Sequence, residues 1–195
     1  MQTKYHKTNK LGQVSDPSAP VCWDMGSDTC PKYEHIVHPF LPLYDENSAI
    51  LILGSLPSVK SREQMFFYGH PQNRFWKVIA ALTGEDVPTE IEKKKALLHK
   101  HHIALWDTIY SCDIVGSSDS SIKNVVPTDI MPIIRNSKIT RVFCNGSTSG
   151  KYYKRYQQKY TGIEAVVLPS TSPANAAFSL EKLIKEWNIG LGTSG

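Results

Sequence analysis

The run Ala49-Ile50-Leu51-Ile52-Leu53, closed by Gly54, constrains the fold more than any other stretch of this chain. Five consecutive apolar residues follow neither helical spacing nor in-out alternation, so a strand built from them buries both faces. Strands of that kind belong to parallel sheets, whose crossovers carry helices. The downstream sequence has the matching rhythm. Phe75 to Leu82 reads as a helix stopped near Gly84, and Thr89 to His101 as a second, with Glu90 and Glu92 in its first turn. Ile103 to Trp106 is a short strand, followed by a Ser-rich loop from Ser111 to Ser121. Pro127-Thr128-Asp129 opens a helix to about Asn136, and Ile139 to Cys144 is a third strand ending in Asn145-Gly146. A helix carrying Lys151, Lys154 and Arg155 comes next, then a fourth strand, Ala165 to Leu168, ending in Pro169-Ser170. Ser179 caps a last amphipathic helix through about Trp187. Alternating strands and helices predict a three-layer α/β/α fold around a mostly parallel four-stranded sheet.

In such sheets ligands bind beyond the carboxyl ends of the strands. Those ends carry Gly54-Ser55, Trp106-Asp107, Asn145-Gly146 and Pro169-Ser170, so the site is expected there. Residues 36–190 are read as the folded domain, 1–35 as a loosely attached extension and 191–195 as a short tail. The segment 1–35 is polar and aperiodic.

Composition narrows the function. The 195 residues carry 41% hydrophobic and 21% charged side chains, ordinary for a soluble globular chain. No apolar run approaches the roughly 20 residues of a membrane span. The first residues, MQTKYHKTNKLG, lack the apolar core of a secretory signal, so the expected location is cytoplasm or nucleoid in a prokaryote, or nucleus in a eukaryote. A net charge of +4 suits an anionic partner without establishing one. Cys22, Cys30, Cys112 and Cys144 form no C-x-x-C, and His99, His101 and His102 lack carboxylate partners in sequence, so neither metal nor cofactor is expected.

Two loops carry the chemistry. The first is Gly54-Ser55-Leu56-Pro57-Ser58, continued by Phe67-Tyr68-Gly69-His70-Pro71-Gln72-Asn73-Arg74-Phe75-Trp76. The second is Leu168-Pro169-Ser170-Thr171-Ser172-Pro173-Ala174-Asn175. In order and spacing these segments resemble the uracil-DNA glycosylase superfamily, from about Ala49 to Trp187. Gly-x-x-Pro followed by His-Pro-x-Asn-Arg-Phe-Trp-Lys-Val-Ile is similar to the mismatch-specific uracil and thymine glycosylases. Their first motif, however, reads Gly-x-Asn-Pro, and its Asn positions the attacking water. Leu56 stands there and cannot hold water. Gly-Ser-Leu-Pro-Ser, Tyr-Gly-His-Pro-Gln-Asn and Trp-Asp-x-x-x-Ser-Cys resemble instead the hypoxanthine-DNA glycosylase branch, where the water-positioning role falls on the residue matching Asn73.

That resemblance implies a monofunctional enzyme, acting as a monomer on duplex DNA that contains a deaminated base, with hypoxanthine favoured. It implies roles residue by residue, each beside a plainer reading. Asn73 positions water or merely caps the Phe75 helix. Tyr68 stacks on a flipped base or is a core tyrosine. Gly54 allows close approach, and backbone N–H groups from Ser55 through Leu56 to Ser58 donate to the base or its flanking phosphates; Pro57 has no N–H to give. Asp107 accepts from the hypoxanthine N1–H or caps a strand end, and Asn145 lines the pocket or forms a turn. Ser170 contacts substrate. Thr171 and Ser172 grip phosphates, while Pro173, Ala174 and Asn175 form the wedge that enters the base stack, or the whole loop is ordinary turn chemistry. Lys151, Lys154 and Arg155 read as a solvated face. Two alternatives remain at this stage: uracil or several deaminated bases as substrate, and a silent module that binds damaged or single-stranded DNA.

Overall fold

The computed structural model describes residues 31–191, with side chains to residue 188. Most of the expected extension, with Cys22 and Cys30, and the expected tail after Leu191 lie outside the described residues. The unit that concerns the site starts at Tyr33. In chain order it runs β1 (Glu34–Val37), β2 (Ile50–Gly54), α1 (Val59–Gln64), α2 (Phe75–Thr83), α3 (Ile91–Lys100), β3 (Ile103–Asp107), β4 (Ile109–Ile114) and β5 (Lys123–Pro127). It continues through α4 (Met131–Arg135), β6 (Arg141–Asn145), α5 (Ser147–Tyr156), α6 (Gln158–Thr161), β7 (Ala165–Leu168) and α7 (Leu180–Leu191).

Four strands form the parallel sheet that the apolar runs predict, in the order β3-β2-β6-β7. Leu51, Ile52 and Leu53 point alternately to the two faces, yet none exposes any surface. Both faces are therefore covered, which is why the run is apolar throughout. The first strand of this sheet is central. The chain builds outward from β2 to β3 on one side and to β6 and β7 on the other, so the topology switches between β2 and β6. Register aligns the carboxyl ends: Gly54 pairs with Asp107, Leu53 with Cys144, and Asn145 with Leu168.

Packing then ties helices to that edge. The Phe75 ring of α2 meets Trp187 of α7 edge-on at 6.0 Å, and both side chains are fully buried. The Trp187 indole Nε1–H donates to the Pro169 carbonyl at 2.9 Å, so a core tryptophan holds the loop after β7. Ser179 Oγ accepts from the Lys182 N–H at 3.3 Å, the expected cap of α7.

A second sheet was not foreseen. Strands β1, β4 and β5 pair antiparallel in the order β1-β4-β5. Glu34 and His35, read as the end of the extension, lie in β1, and Ser111 to Ile114, read as loop, lie in β4. The strand β4 exists because Ile109, Cys112 and Ile114 bury against Tyr152, a cluster that Leu56 also joins. Pro127 ends β5 instead of opening a helix; α4 starts only at Met131, whose N–H donates to Asp129 Oδ1 at 3.0 Å. The first long loop also differs from expectation: Ser58 caps the short α1, accepting from the Ser61 N–H at 3.3 Å.

Candidate active site

A cleft of about 910 Å³ opens at the carboxyl edge of the parallel sheet, around the switch between β2 and β6. Its floor is the end of β2. Here Gly54 is obligatory for steric reasons: a Cβ would overlap Asp107 Oδ1 and lie 3.4 Å from the Tyr68 hydroxyl. Gly54→Ala is expected to cost about 1–3 kcal/mol of stability through overpacking. By displacing Asp107 and Tyr68 it should also slow the site's chemistry by about 100-fold. Thermal melting and a turnover assay measure the two effects separately.

Tyr68 forms one wall. Its backbone is left-handed, at φ 53°, a conformation that costs a tyrosine on the order of 1 kcal/mol and aims the ring. One face stacks on Phe75, at 3.9 Å between centroids and 20° between planes, and the residue lines the cleft. The hydroxyl is buried without a hydrogen-bond partner. Burial, and then the nearby Asp107 charge, push its pKa above the ordinary tyrosine value; Asn145 approaches without completing a bond and offsets only part of this. Tyr68 is thus a neutral aromatic platform backed by a second ring.

Asn73 closes a turn, its N–H donating to the His70 carbonyl at 2.8 Å. Its Oδ1 accepts from the Phe75 N–H at 2.9 Å and from Thr171 Oγ1 at 3.0 Å. Asn73 thus closes a turn into α2 one residue before the N-cap Arg74, which has no side-chain cap of its own, and that turn fixes where the amide sits. Both lone pairs of Oδ1 are occupied, whereas Nδ2 donates to none of the described residues and Asn73 lines the cleft. Thr171 is the hub of this arrangement. Its Oγ1 also accepts from Asn145 Nδ2 at 2.9 Å, and its N–H donates to Asn145 Oδ1 at 2.9 Å. Asn145, on β6, so carries its orientation through Thr171 to Asn73.

Thr171, expected to grip phosphate, exposes no surface and serves that network instead. Ser170 and Ser172 do line the cleft, along with Ala174 and Asn175. Ser170 packs so tightly on Gly146, which has φ 101°, that a Cβ there would come within 3.0 Å of the Ser170 Cβ. Pro173 and Ala174, in the same loop, are exposed. The loop is knitted by the Ala174 N–H on Ser172 Oγ at 3.3 Å and by Asn175 Nδ2 on the Ser170 carbonyl at 2.9 Å. Ser55, Leu56 and Ser58 line the opposite rim. Leu56 also packs into the second apolar cluster, a wall residue with no capacity to hold water. His99 pairs with Asp45 at 2.8 Å and His101 with Glu85 at 3.1 Å, and none of these four residues lines the cleft.

Two residues of the site were missed from sequence. Arg74 clamps the second loop: its N–H and Nε donate to the Thr171 carbonyl at 3.1 and 3.3 Å. Nη2 donates to the carbonyls of Ser172 at 2.6 Å and Asn175 at 3.1 Å, and Nη1 to that of Phe178. The second is His38. Its Nε2 meets Asp107 Oδ2 at 2.8 Å, with both side chains almost fully buried. Arg74 stood inside a recognised motif but had no role attached. Nothing near His38 in the sequence points to a partner 69 residues away.

The family model of the uracil DNA glycosylase superfamily matches residues 41–190, a span holding the whole parallel sheet and both cleft loops. The chain belongs to that superfamily. A curated relative named hypoxanthine DNA glycosylase, from Methanosarcina acetivorans, is 37% identical over 150 residues, covering 76% of this chain and 93% of the relative. Another of the same name, from Methanosarcina barkeri, is 35% identical over 143 residues, covering 70% and 86%. Among solved structures, the solution NMR structure of a Methanosarcina acetivorans protein assigned to the uracil DNA glycosylases superposes with a TM-score of 0.69 at 32% identity. It covers 82% of this chain and 100% of its own.

Proposed function

We propose that the protein is a monofunctional DNA glycosylase that excises hypoxanthine, flipped out of duplex DNA, and works as a monomer. The observation that carries the reading is the Asn73 amide. It is immobilised through Oδ1, keeps Nδ2 without a partner among the described residues, and belongs to a side chain lining a cleft whose wall is an aromatic platform. Cleavage of an N-glycosidic bond builds oxocarbenium character on the sugar and negative charge on the base. The protein must hold a water at C1′ and give the departing base hydrogen bonds. A water that accepts from Nδ2 keeps a lone pair for C1′, and no metal is needed to place it. Stacked on Tyr68, a purine turns its N1–H and O6 edge toward the strand ends, where Asp107 is an acceptor. Among the described residues that line the cleft none is a lysine, so no Schiff base forms and the strand is left intact at an abasic site. Pro173 and Ala174 fill the gap in the base stack, and the expected setting is the DNA-bearing compartment of the cell.

Labelled duplexes carrying deoxyinosine, uracil or xanthine, treated with alkali after incubation, test the reading. Cleavage confined to deoxyinosine is the expected result. Equal or better cleavage at uracil would transfer the substrate to a pyrimidine, and binding without cleavage would make the chain a silent DNA-binding module.

A further inference from the structure

The His38–Asp107 pair has a proton arrangement that the hydrogen bonds define. His38 Nδ1 lies 3.0 Å from the Phe40 carbonyl, which can only accept, so Nδ1 carries a proton. Nε2 lies 2.8 Å from Asp107 Oδ2. Two lone pairs do not face each other at that distance, so a second proton sits between these atoms. It belongs either to an imidazolium beside a carboxylate or to a carboxylic acid beside a neutral imidazole. The pair is neutral in both cases. In both, Oδ1 is a pure acceptor: it lies over Gly54, takes no hydrogen bond from any described residue, and belongs to a side chain that lines the cleft. The rings of Phe40, Phe67 and Trp106 pack around the imidazole, with Trp106 at 4.2 Å.

We infer that His38 is a positioning residue that makes Asp107 selective for a base bearing a ring N–H. The inference rests on the proposed base-reading role of Asp107. Its logic has two parts. The Nε2–Oδ2 hydrogen bond holds Oδ1 over Gly54, where it accepts a ring N–H, and without that bond the carboxyl is free to turn the acceptor away. An unpaired Asp107 could also protonate and turn its O–H toward a bare ring nitrogen. With the proton held on the Oδ2 side, Oδ1 accepts the N1–H of a deaminated purine and faces the bare N1 of an undeaminated one lone pair to lone pair.

Single-turnover base release from duplexes with deoxyinosine or 2′-deoxynebularine, which lacks the N1–H, tests this in the full chain. His38→Phe should lower deoxyinosine release by about 100-fold while nebularine release stays at or above the wild-type rate. His38→Gln, which keeps an N–H for Asp107, should recover most of the deoxyinosine rate; cooperative melting shows that each variant is folded. Equal losses on both substrates, or no recovery with Gln, would overturn the inference. Asp107→Val, which removes the acceptor and puts no donor or acceptor in its place, separates the two claims. If it leaves the preference for deoxyinosine intact, the base-reading role itself fails; if it collapses the preference but His38→Phe does not, only the His38 inference fails. Nitrogen-15 NMR of the wild type needs no variant to fold: a protonated Nδ1 is expected, and a bare Nδ1 would overturn the proton assignment.

Discussion

Asn73→Ala should cut base release from a deoxyinosine duplex by about 100- to 1000-fold, the scale of losing one preorganised polar group at a reacting centre. Affinity for the duplex should be nearly unchanged. The same substitution removes the acceptor for the Phe75 N–H and for Thr171 Oγ1, and losing such an acceptor at the entry to a helix costs about 1 kcal/mol. The two consequences differ greatly in size, which makes them separable. A structural acceptor alone predicts a slightly lowered melting temperature and a normal rate in the folded fraction. A water-positioning amide predicts a folded, DNA-binding and nearly inert protein. Asn73→Gln tests the placement of the same chemistry: its amide sits one methylene further out, so base release should fail here too. Single-turnover release, binding by fluorescence anisotropy and thermal melting together decide the matter, and full activity in either variant would remove Asn73 from the catalytic role.

The second large effect is expected at Arg74. Its guanidinium and backbone N–H reach the carbonyls of Thr171, Ser172, Asn175 and Phe178, so one side chain from the start of α2 sets the path of the loop after β7. Hydrogen bonds from a charged donor are worth about 1.5–3 kcal/mol each where both partners are partly buried, although they do not add. In this conformation the charge is spent on carbonyls and is not a phosphate contact. Arg74→Ala should therefore release the loop, shift Thr171 and with it the Asn73 amide, and lower base release by about 100-fold. Arg74→Lys should recover little, because an ammonium cannot reproduce the planar fork across four carbonyls. The salt dependence of duplex binding distinguishes the clamp from a phosphate ligand. A clamp leaves the slope of log affinity against log salt unchanged, whereas a lost phosphate contact reduces it by about one unit.

What could be read in the sequence follows from the range of the interactions involved. The parallel sheet was legible because burial on both faces forces unbroken apolar runs, as at Leu51 to Leu53. The placement of the cleft was legible because parallel strands bring their carboxyl ends to one edge. The small antiparallel sheet was not. Its strands are short and half-exposed, β4 pairs with β5 through register shifts at Ser111, and Glu34 meets Ile114 from the middle of the domain. Such pairing leaves no clean alternation to find. Thr171 illustrates a different limit. Its composition, a threonine in a Ser-rich loop, suits a phosphate contact, but only the fold shows that Asn145 and Asn73 enclose it. His38 lay just past the boundary drawn for a polar extension, and its meaning resides entirely in Asp107 and the Phe40 carbonyl.

The most direct measurement is mass-spectrometric detection of the free base after the full chain is incubated with a duplex carrying one deoxyinosine, alongside strand integrity before and after alkali. Free hypoxanthine in step with alkali-labile sites, on a strand that is intact until alkali is added, is the predicted result. A duplex that is bound but yields no free base, or a strand broken before alkali, would contradict it.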